Sequence, residues 1–177
     1  MKVVFLDRDG VINKDSGYVH KKEDFVFIQG IFDSCRSLIS KGFELIIITN
    51  QSGIERGYYT VEDFLILNDW MLNEFEKADV NICDVFFCPH TPQDNCNCRK
   101  PKTGMLDKAD LKYNIEKSNS WVIGDKETDI EAGINFGINN TILINSNQNV
   151  QIENSKAKFI IPSMKDINKI SELRVDN

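Results

Sequence analysis

Residues 3–10 read Val3-Val4-Phe5-Leu6-Asp7-Arg8-Asp9-Gly10, an apolar run that passes directly into two carboxylates. A short, continuous apolar run bounded by turn residues is typical of a strand buried on both faces of a parallel sheet. Four more runs of this kind follow, at residues 45–48, 85–88, 121–123 and 141–144. We therefore expect a parallel sheet with reactive side chains where its strands end.

Helical patterns alternate with these runs. They lie at residues 31–40, 61–78, 104–117 and 128–136, and residues 159–162 and 164–173 add a last short strand and helix. Thr60 is the expected N-cap of the second helix, with Asp63 as its capping-box partner. The alternation predicts an α/β fold, a doubly wound, Rossmann-like parallel sheet with helices on both faces.

The length and composition favour one globular domain. A chain of 177 residues, 41% hydrophobic and 27% charged, suits a single core over residues 1–177, without a large cap domain. No apolar run approaches the length of a membrane span, and no secretory signal is present, so we expect a cytoplasmic monomer. The net charge of −6 disfavours nucleic acid as a partner. The Asn- and Gln-rich stretch 145–155 is interpreted as a mobile surface connection.

The first run ends in two carboxylates, Asp7 and Asp9, which are two residues apart and so project to one side of an extended chain. A divalent cation would relieve their repulsion. A polar turn at Asp-x-Asp-Gly is the competing interpretation. The fourth run ends in Gly124-Asp125-Lys126-Glu127-Thr128-Asp129, where Asp129 has helix capping as its alternative role.

Two further strand ends carry groups suited to an anion. Thr49-Asn50-Gln51-Ser52-Gly53 supplies small hydroxyl and amide donors for phosphoryl oxygens, with a turn or helix cap as the alternative. Arg99-Lys100-Pro101-Lys102 concentrates positive charge in an acidic protein, although such a run is often only a solvated surface. A binding role for either segment is favoured over its alternative only if an anion binds nearby.

The order Asp-x-Asp-Gly, strand-Thr, Lys-Pro and Gly-Asp-x-x-x-Asp resembles the haloacid dehalogenase superfamily of phosphohydrolases. Within it, residues 3–144 resemble the branch of histidinol phosphatases and heptose-bisphosphate phosphatases. The stretches Gly17-Tyr18-Val19-His20, Thr49 to Ile54 and Ile123 to Lys126 look like the heptose enzymes. That likeness implies removal of the 7-phosphate from D-glycero-D-manno-heptose 1,7-bisphosphate, in the synthesis of nucleotide-activated heptose for surface polysaccharide.

The resemblance also implies roles for individual residues. Asp7 is the nucleophile that forms an aspartyl-phosphate, and Asp9 is the acid and base. Mg²⁺ is held by Asp7, the backbone carbonyl of Asp9 and Asp125, with Asp129 orienting a metal water or its neighbours. Thr49 and Lys100 meet the remaining phosphoryl oxygens. The residues expected to bind substrate are Asp15, Gly17, Tyr18, Asn50, Gln51, Ser52, Arg56, Arg99 and Lys126.

A compact set of sulfur and nitrogen ligands predicts a structural zinc site. Cys88, His90, Cys96 and Cys98 supply three sulfurs and an imidazole within residues 88–103, a closed tetrahedral set for Zn²⁺. We expect this loop to hold Arg99 and Lys100 over the active site. The alternative is four buried or oxidised side chains. Cys35 and Cys83 fall in helix and strand patterns and are expected in the core.

The connection at residues 10–30 is expected to form a flap over the substrate, as the resemblance implies. His20 within it is either a surface histidine or a substrate contact. The spacing of five residues between His90 and Cys96 is short for a heptose enzyme and looks like histidinol phosphatases. Histidinol-phosphate phosphatase is therefore the alternative enzyme, and a zinc-stabilised binding module is the alternative from another class.

Overall fold

The computed structural model describes residues 1–146 and 152–173, and within them six strands form one sheet. The strands are β1 (Val3–Leu6), β2 (Glu44–Asn50), β3 (Asp84–Cys88), β4 (Trp121–Gly124), β5 (Thr141–Ile144) and β6 (Phe159–Ile161). All neighbouring pairs run parallel. The predicted doubly wound parallel sheet is confirmed.

The strand order is β3-β2-β1-β4-β5-β6. The order reverses between β1 and β4, where Leu6 pairs with Ile47 on one side and Ile123 on the other. Such a reversal opens a crevice at the carboxyl ends of the two central strands. Asp7 leaves β1 and Asp125 leaves β4 at this point.

Among the described residues, four α-helices cover the sheet: α1 (Ile31–Ser40), α2 (Val61–Lys77), α3 (Gly104–Tyr113) and α4 (Glu127–Phe136). The strands alternate their side chains between two apolar clusters, so that Leu6 joins one and Phe5 the other. The helices α1 and α2 pack into the first cluster, and α3 and α4 pack into the second. Both faces are therefore buried, as the unbroken apolar runs predict.

Local interactions explain where α2 begins and where α3 ends. Thr60 and Asp63 form the predicted capping box at the start of α2. The helix α3 was predicted to reach residue 117, but it ends at Tyr113, since Asn114 adopts a left-handed conformation (φ 54°) that asparagine tolerates. This reversal lets Ile115 turn into the core, where it is 7% exposed.

The helix predicted at residues 164–173 is not one continuous element. The chain forms two 3₁₀ helices there, at Met164–Lys169 and Ser171–Leu173. The buried residues are spaced by three, which matches the three-residue turn of a 3₁₀ helix better than the 3.6 of an α-helix. They are Met164, Ile167, Ile170 and Leu173.

The connection at residues 10–30 holds one 3₁₀ helix, Lys22–Asp24, and is pinned by isolated bridges from Asn13 to Asp9 and Phe27. Residues 147–151 of the expected surface connection lie outside the described residues. In the described ranges, none of the helices combines the length and apolar character needed to cross a membrane.

Candidate active site

Three carboxylates meet in the crevice between β1 and β4. Oxygens of Asp7, Asp125 and Asp129 all lie within 4.8 Å of one another. The backbone makes this possible: a Cβ on Gly10 would stand 2.2 Å from Asp125, and one on Gly124 would stand 2.2 Å from Asp129. Gly10 also has a positive φ of 95°, which favours glycine. Any side chain at these two positions would push the acidic groups apart.

Lys100 is a positively charged residue that contacts this cluster of carboxylates. Its Nζ donates to Asp7 Oδ1 at 2.8 Å and to the Ile48 carbonyl at 2.8 Å, and it lies 2.7 Å from Asp129 Oδ1. These contacts occupy the three protons of the ammonium group. Burial lowers the pKa of Lys100, but the charges of Asp129 and Asp7 outweigh it and raise the pKa to about 12. Lys100 is therefore a fixed positive charge beside the predicted nucleophile.

The carboxylates carry more negative charge than Lys100 neutralises. Burial raises the pKa of Asp7, although Lys100 opposes it, and burial together with the charge of Asp7 raises the pKa of Asp125 to about 8. Oδ1 of Asp125 is buried without a hydrogen-bond partner. An oxygen-rich cluster with an unsatisfied buried carboxylate oxygen fits a divalent cation such as Mg²⁺.

Asp9 lines the same crevice but faces a different set of partners. Arg8 donates to both of its oxygens at 2.9 Å. The side-chain amides of Asn13 and Gln51 each donate to one oxygen at 3.0 Å. Sequence patterns did not single out Arg8 or Asn13, since Arg8 occupies the unspecified position of the Asp-x-Asp-Gly motif and Asn13 lies outside it.

The side-chain amides of Asn50 and Gln51, at the end of β2, connect several parts of the site by hydrogen bonds. Asn50 accepts a hydrogen bond from the backbone N–H of Lys100 at 3.1 Å and donates to the Lys100 carbonyl at 3.3 Å. Gln51 donates to Thr49 Oγ1 at 2.8 Å and accepts from the Tyr59 hydroxyl at 2.6 Å. Tyr59 was missed by sequence reasoning, which considered only Arg56 and the helix cap Thr60 in the segment between Gly53 and α2. Asn50 and Gln51 therefore hold the site together as well as bordering it.

A cavity of about 530 Å³ opens above these groups. The predicted residues that line it are Asp7, Asp9, Asp15, Gly17, Tyr18, Asn50, Gln51, Ser52, Arg99, Lys100, Lys126 and Asp129. Tyr59, Pro92, Pro101 and Thr128 complete the lining. Thr49, Asp125 and Arg56 are not among the described residues that border the cavity; Thr49 is buried, Asp125 is half-buried and Arg56 is exposed.

The flap contributes polar and aromatic groups to the mouth of the cavity. Lys126 Nζ, after β4, lies 3.0 Å from Asp15 and 3.9 Å from Asp125. Burial alone would raise the pKa of Asp15, but the hydrogen bond from Lys126 lowers it. Tyr18 is 46% exposed and packs edge-on against Tyr58. The ion pair joins the flap to the sheet.

Asp129 fulfils the capping role and also reaches the site. Its Oδ2 accepts the backbone N–H of Lys126 at 3.0 Å, which closes the first turn of α4. Its Oδ1 pairs with Lys100. The two interpretations of this residue are therefore compatible.

The four predicted zinc ligands converge at the end of β3. Cys98 Sγ lies 3.0 Å from Cys88 Sγ and 3.5 Å from Cys96 Sγ, and His90 Nδ1 lies 3.2 Å from Cys98 and 3.6 Å from Cys88. A tetrahedral zinc ion would place its ligands about 3.6 to 3.8 Å apart. The set therefore fits Zn²⁺, with the sulfurs slightly closer than a bound ion would hold them.

This loop is connected directly to the active site. Arg99 donates from its guanidinium to the His90 carbonyl at 3.1 Å, and Lys100 follows in the chain. The Cys88 carbonyl accepts the backbone N–H of Gln51 at 2.7 Å. Ligation of the loop would therefore fix elements on both sides of the cavity.

The α/β fold, the acidic crevice and the buried lysine define a phosphohydrolase of the haloacid dehalogenase superfamily. A sequence profile described as HAD-hydrolase-like matches residues 97–167. A solved D,D-heptose 1,7-bisphosphate phosphatase from B. bronchiseptica, complexed with magnesium and phosphate, superposes with a TM-score of 0.83 at 25% identity, covering 96% of this chain and 97% of that one.

Sequence relatives identify one family within this superfamily. The chain is 51% identical over 144 residues to D-glycero-alpha-D-manno-heptose-1,7-bisphosphate 7-phosphatase from Campylobacter jejuni, covering 81% of this chain and 83% of the relative. It is 46% identical over 147 residues to the corresponding beta enzyme from Helicobacter pylori, covering 82% and 85%. The chain belongs to the family of D-glycero-D-manno-heptose-1,7-bisphosphate 7-phosphatases.

Proposed function

We propose that this protein hydrolyses the 7-phosphate of D-glycero-D-manno-heptose 1,7-bisphosphate through an aspartyl-phosphate. The observation that carries the proposal is the buried Asp7 carboxylate, which borders the cavity and is paired with Lys100 at 2.8 Å. The names of the relatives support the heptose substrate over histidinol phosphate. Such a reaction fits the synthesis of nucleotide-activated heptose for surface polysaccharide.

The chain's own residues account for two displacements. Asp7 attacks phosphorus, and the bond to O7 of the sugar breaks while protonated Asp9 gives its proton to that oxygen. Water then attacks the aspartyl-phosphate and Asp9 takes its proton. The bond to Asp7 breaks and inorganic phosphate leaves. Dividing the reaction in this way replaces one difficult displacement with two easier ones.

Charge stabilisation is the task of the surrounding groups. Asp7, the backbone carbonyl of Asp9 and Asp125 are the proposed Mg²⁺ ligands, with Asp129 orienting a water or neighbouring ligand. Bound Mg²⁺ supplies positive charge for the phosphoryl oxygens. Lys100 keeps its fixed charge next to Asp7, and Thr49 and Ser52 offer hydroxyl groups at the end of β2.

Substrate recognition is assigned to the cavity mouth. Asp15, Tyr18 and Lys126 offer the carboxylate, aromatic and ammonium groups that suit a polyol, and Gly17 leaves room beside them. Arg99 is proposed to bind the phosphate that is not cleaved, because Arg99 lines the cavity and a guanidinium can bind a phosphate with two hydrogen bonds. Zn²⁺ at Cys88, His90, Cys96 and Cys98 would keep that arginine in place. We further propose a cytoplasmic monomer.

Competition between substrates tests the assignment. We expect kcat/KM for the heptose bisphosphate to exceed that for histidinol phosphate by at least about tenfold, equivalent to about 1.4 kcal/mol. Both anomers belong in the comparison, since the two relatives differ in this feature. A preference for histidinol phosphate would overturn the substrate, and a lack of any Mg²⁺-dependent phosphate release would overturn the enzyme class.

A further inference from the structure

Arg8 lies between the two aspartates of the first motif, yet its side chain is 2% exposed. One terminal nitrogen, Nη2, donates to both oxygens of Asp9 at 2.9 Å and to the Val19 carbonyl at 2.7 Å. It therefore connects the Asp9 carboxylate to the flap. The mechanism described above gives this arginine no task.

Two aromatic rings lie close to the Arg8 guanidinium. Its guanidinium carbon lies 5.9 Å from the ring centres of Phe25 and Phe64. Its Nε is buried without a hydrogen-bond partner. A buried ion pair with an unsatisfied donor is a weak source of stability, because desolvation offsets the attraction. The burial of Arg8 is better explained by a role in holding the Asp9 carboxylate in one orientation than by a contribution to stability.

Other donors approach Asp9 from a second direction. Asn13 donates to Oδ1 and Gln51 to Oδ2, each at 3.0 Å. The orientation of Gln51 is itself fixed, because Tyr59 donates to its carbonyl oxygen at 2.6 Å. Each oxygen of Asp9 therefore has two donors, and rotation of the carboxylate would break several hydrogen bonds together.

We propose that Arg8 is a positioning residue that holds the Asp9 carboxylate in the orientation needed for proton transfer. The inference rests on the proposed function, since it requires Asp9 to be the acid and base. Substitution of Arg8 should have its largest effect on the chemical step that depends most on Asp9. With an aryl phosphate, whose leaving group needs little protonation, that step is the attack of water on the aspartyl-phosphate.

The test separates the two chemical steps in the full-length, Mg²⁺-loaded enzyme. The rates at which the aspartyl-phosphate forms and decays are measured with labelled aryl phosphate in wild type and Arg8→Met. We expect the decay rate to fall at least about tenfold, while the formation rate changes less than about threefold. Arg36→Met, at an exposed position on α1, is the matched control and should change neither rate.

A merely structural role for Arg8 makes a different prediction. A general disturbance of the site would slow both steps by a similar factor, and loss of active molecules would lower only the amount of aspartyl-phosphate; either result would overturn the inference. A decay rate at or above that of wild type would also overturn it. A wild type that forms no aspartyl-phosphate would instead contradict the proposed function, so the two failures are distinguishable.

Two milder variants keep the test decisive if Arg8→Met does not fold. Arg8→Lys retains a donor cation near Asp9 and should recover most of the decay rate. Tyr59→Phe removes only the hydroxyl that orients Gln51, and it should slow decay more than formation. Equal effects of Tyr59→Phe on the two steps, together with an equal fall of both rates in Arg8→Lys, would refute the positioning role.

Discussion

Lys100 Nζ lies 2.8 Å from Oδ1 of Asp7, and both side chains are buried at the carboxyl end of the central strands. Lys100 lowers the pKa of Asp7 against the opposing effect of burial. Burial still leaves the pKa of Asp7 raised, so the lysine favours the ionised form of the proposed nucleophile by opposing part of that rise. It also balances Asp129, which would otherwise repel Asp7 across the crevice.

Lys100→Met should lower kcat for an aryl phosphate by at least about a hundredfold, because a fixed charge next to the reacting group is lost. Lys108→Met, at an exposed position on α3, is the control and should keep wild-type activity. Steady-state kinetics at saturating Mg²⁺ provide the measurement. Activity within about threefold of wild type would show that Lys100 has no electrostatic role.

Lys100→Met should also change how the free energy of unfolding depends on pH. Without Lys100 the pKa of Asp7 rises further above its unfolded value, so folding favours the protonated carboxyl and stability falls as pH rises. We expect a deficit in the free energy of unfolding of about 3 kcal/mol at pH 7, shrinking towards pH 4. Urea denaturation of chelator-treated wild type and variant gives this difference, and a deficit independent of pH would contradict the explanation.

Asp7→Asn should abolish turnover, with a loss of at least about a thousandfold, because the amide keeps the shape of the side chain but cannot attack phosphorus. The circular dichroism spectrum should barely change. Asp24→Asn on the exposed flap is the matched control. If purified Asp7→Asn kept more than a small percentage of wild-type activity, another group would be the nucleophile.

The main elements of the fold follow from local sequence. The strands around the crevice are apolar without alternation, and α1 was predicted at its observed bounds. The exceptions involve backbone conformation: Asn114 ends α3 early, and the three-residue spacing from Met164 onwards forms 3₁₀ turns. The early end of α3 depends on the burial of Ile115, which apolar spacing does not show. The three-residue spacing from Met164 is present in the sequence, but it was interpreted only as helical.

The candidate site was predictable where a motif carries chemistry and was missed where its role depends on distant contacts. Asp7, Asp125 and the four zinc ligands were found from strand ends and ligand type. The pairing of Asn50 with the Lys100 backbone joins residues 50 positions apart, and no local pattern encodes it. Arg8 was missed for a different reason: its partner Asp9 is the next residue, but the motif does not show that the Arg8 side chain folds back onto it.

The zinc loop should contain one Zn²⁺ per chain and should act on structure. Cys96→Ser removes one ligand, so we expect loss of zinc, a lower melting temperature and weaker activity through displacement of Arg99 and Lys100. Cys83→Ala is the control, since Cys83 lies outside the ligand set. Elemental analysis and thermal melting measure the outcome. Full zinc content, or normal melting and activity, in Cys96→Ser would refute the structural role.

The last prediction concerns the phosphate that remains on the sugar. Arg99 borders the cavity while its guanidinium is held by the His90 carbonyl, so it can meet a phosphate without first becoming ordered. Binding energy from that remote group would orient the reacting phosphate towards Asp7. Histidinol phosphate and simple aryl phosphates have no second phosphate to offer.

Arg99→Ala should therefore lower kcat/KM for the heptose bisphosphate at least about tenfold more than for an aryl phosphate. Arg56→Ala makes the sharpest control, because the sequence assigned both arginines to substrate binding but the structure leaves Arg56 exposed away from the cavity. Its effect on the bisphosphate should stay within about threefold. An equal loss on both substrates in Arg99→Ala would mean that Arg99 supports the reacting phosphate or the loop. A larger loss in Arg56→Ala would place the second phosphate on the other side of the site.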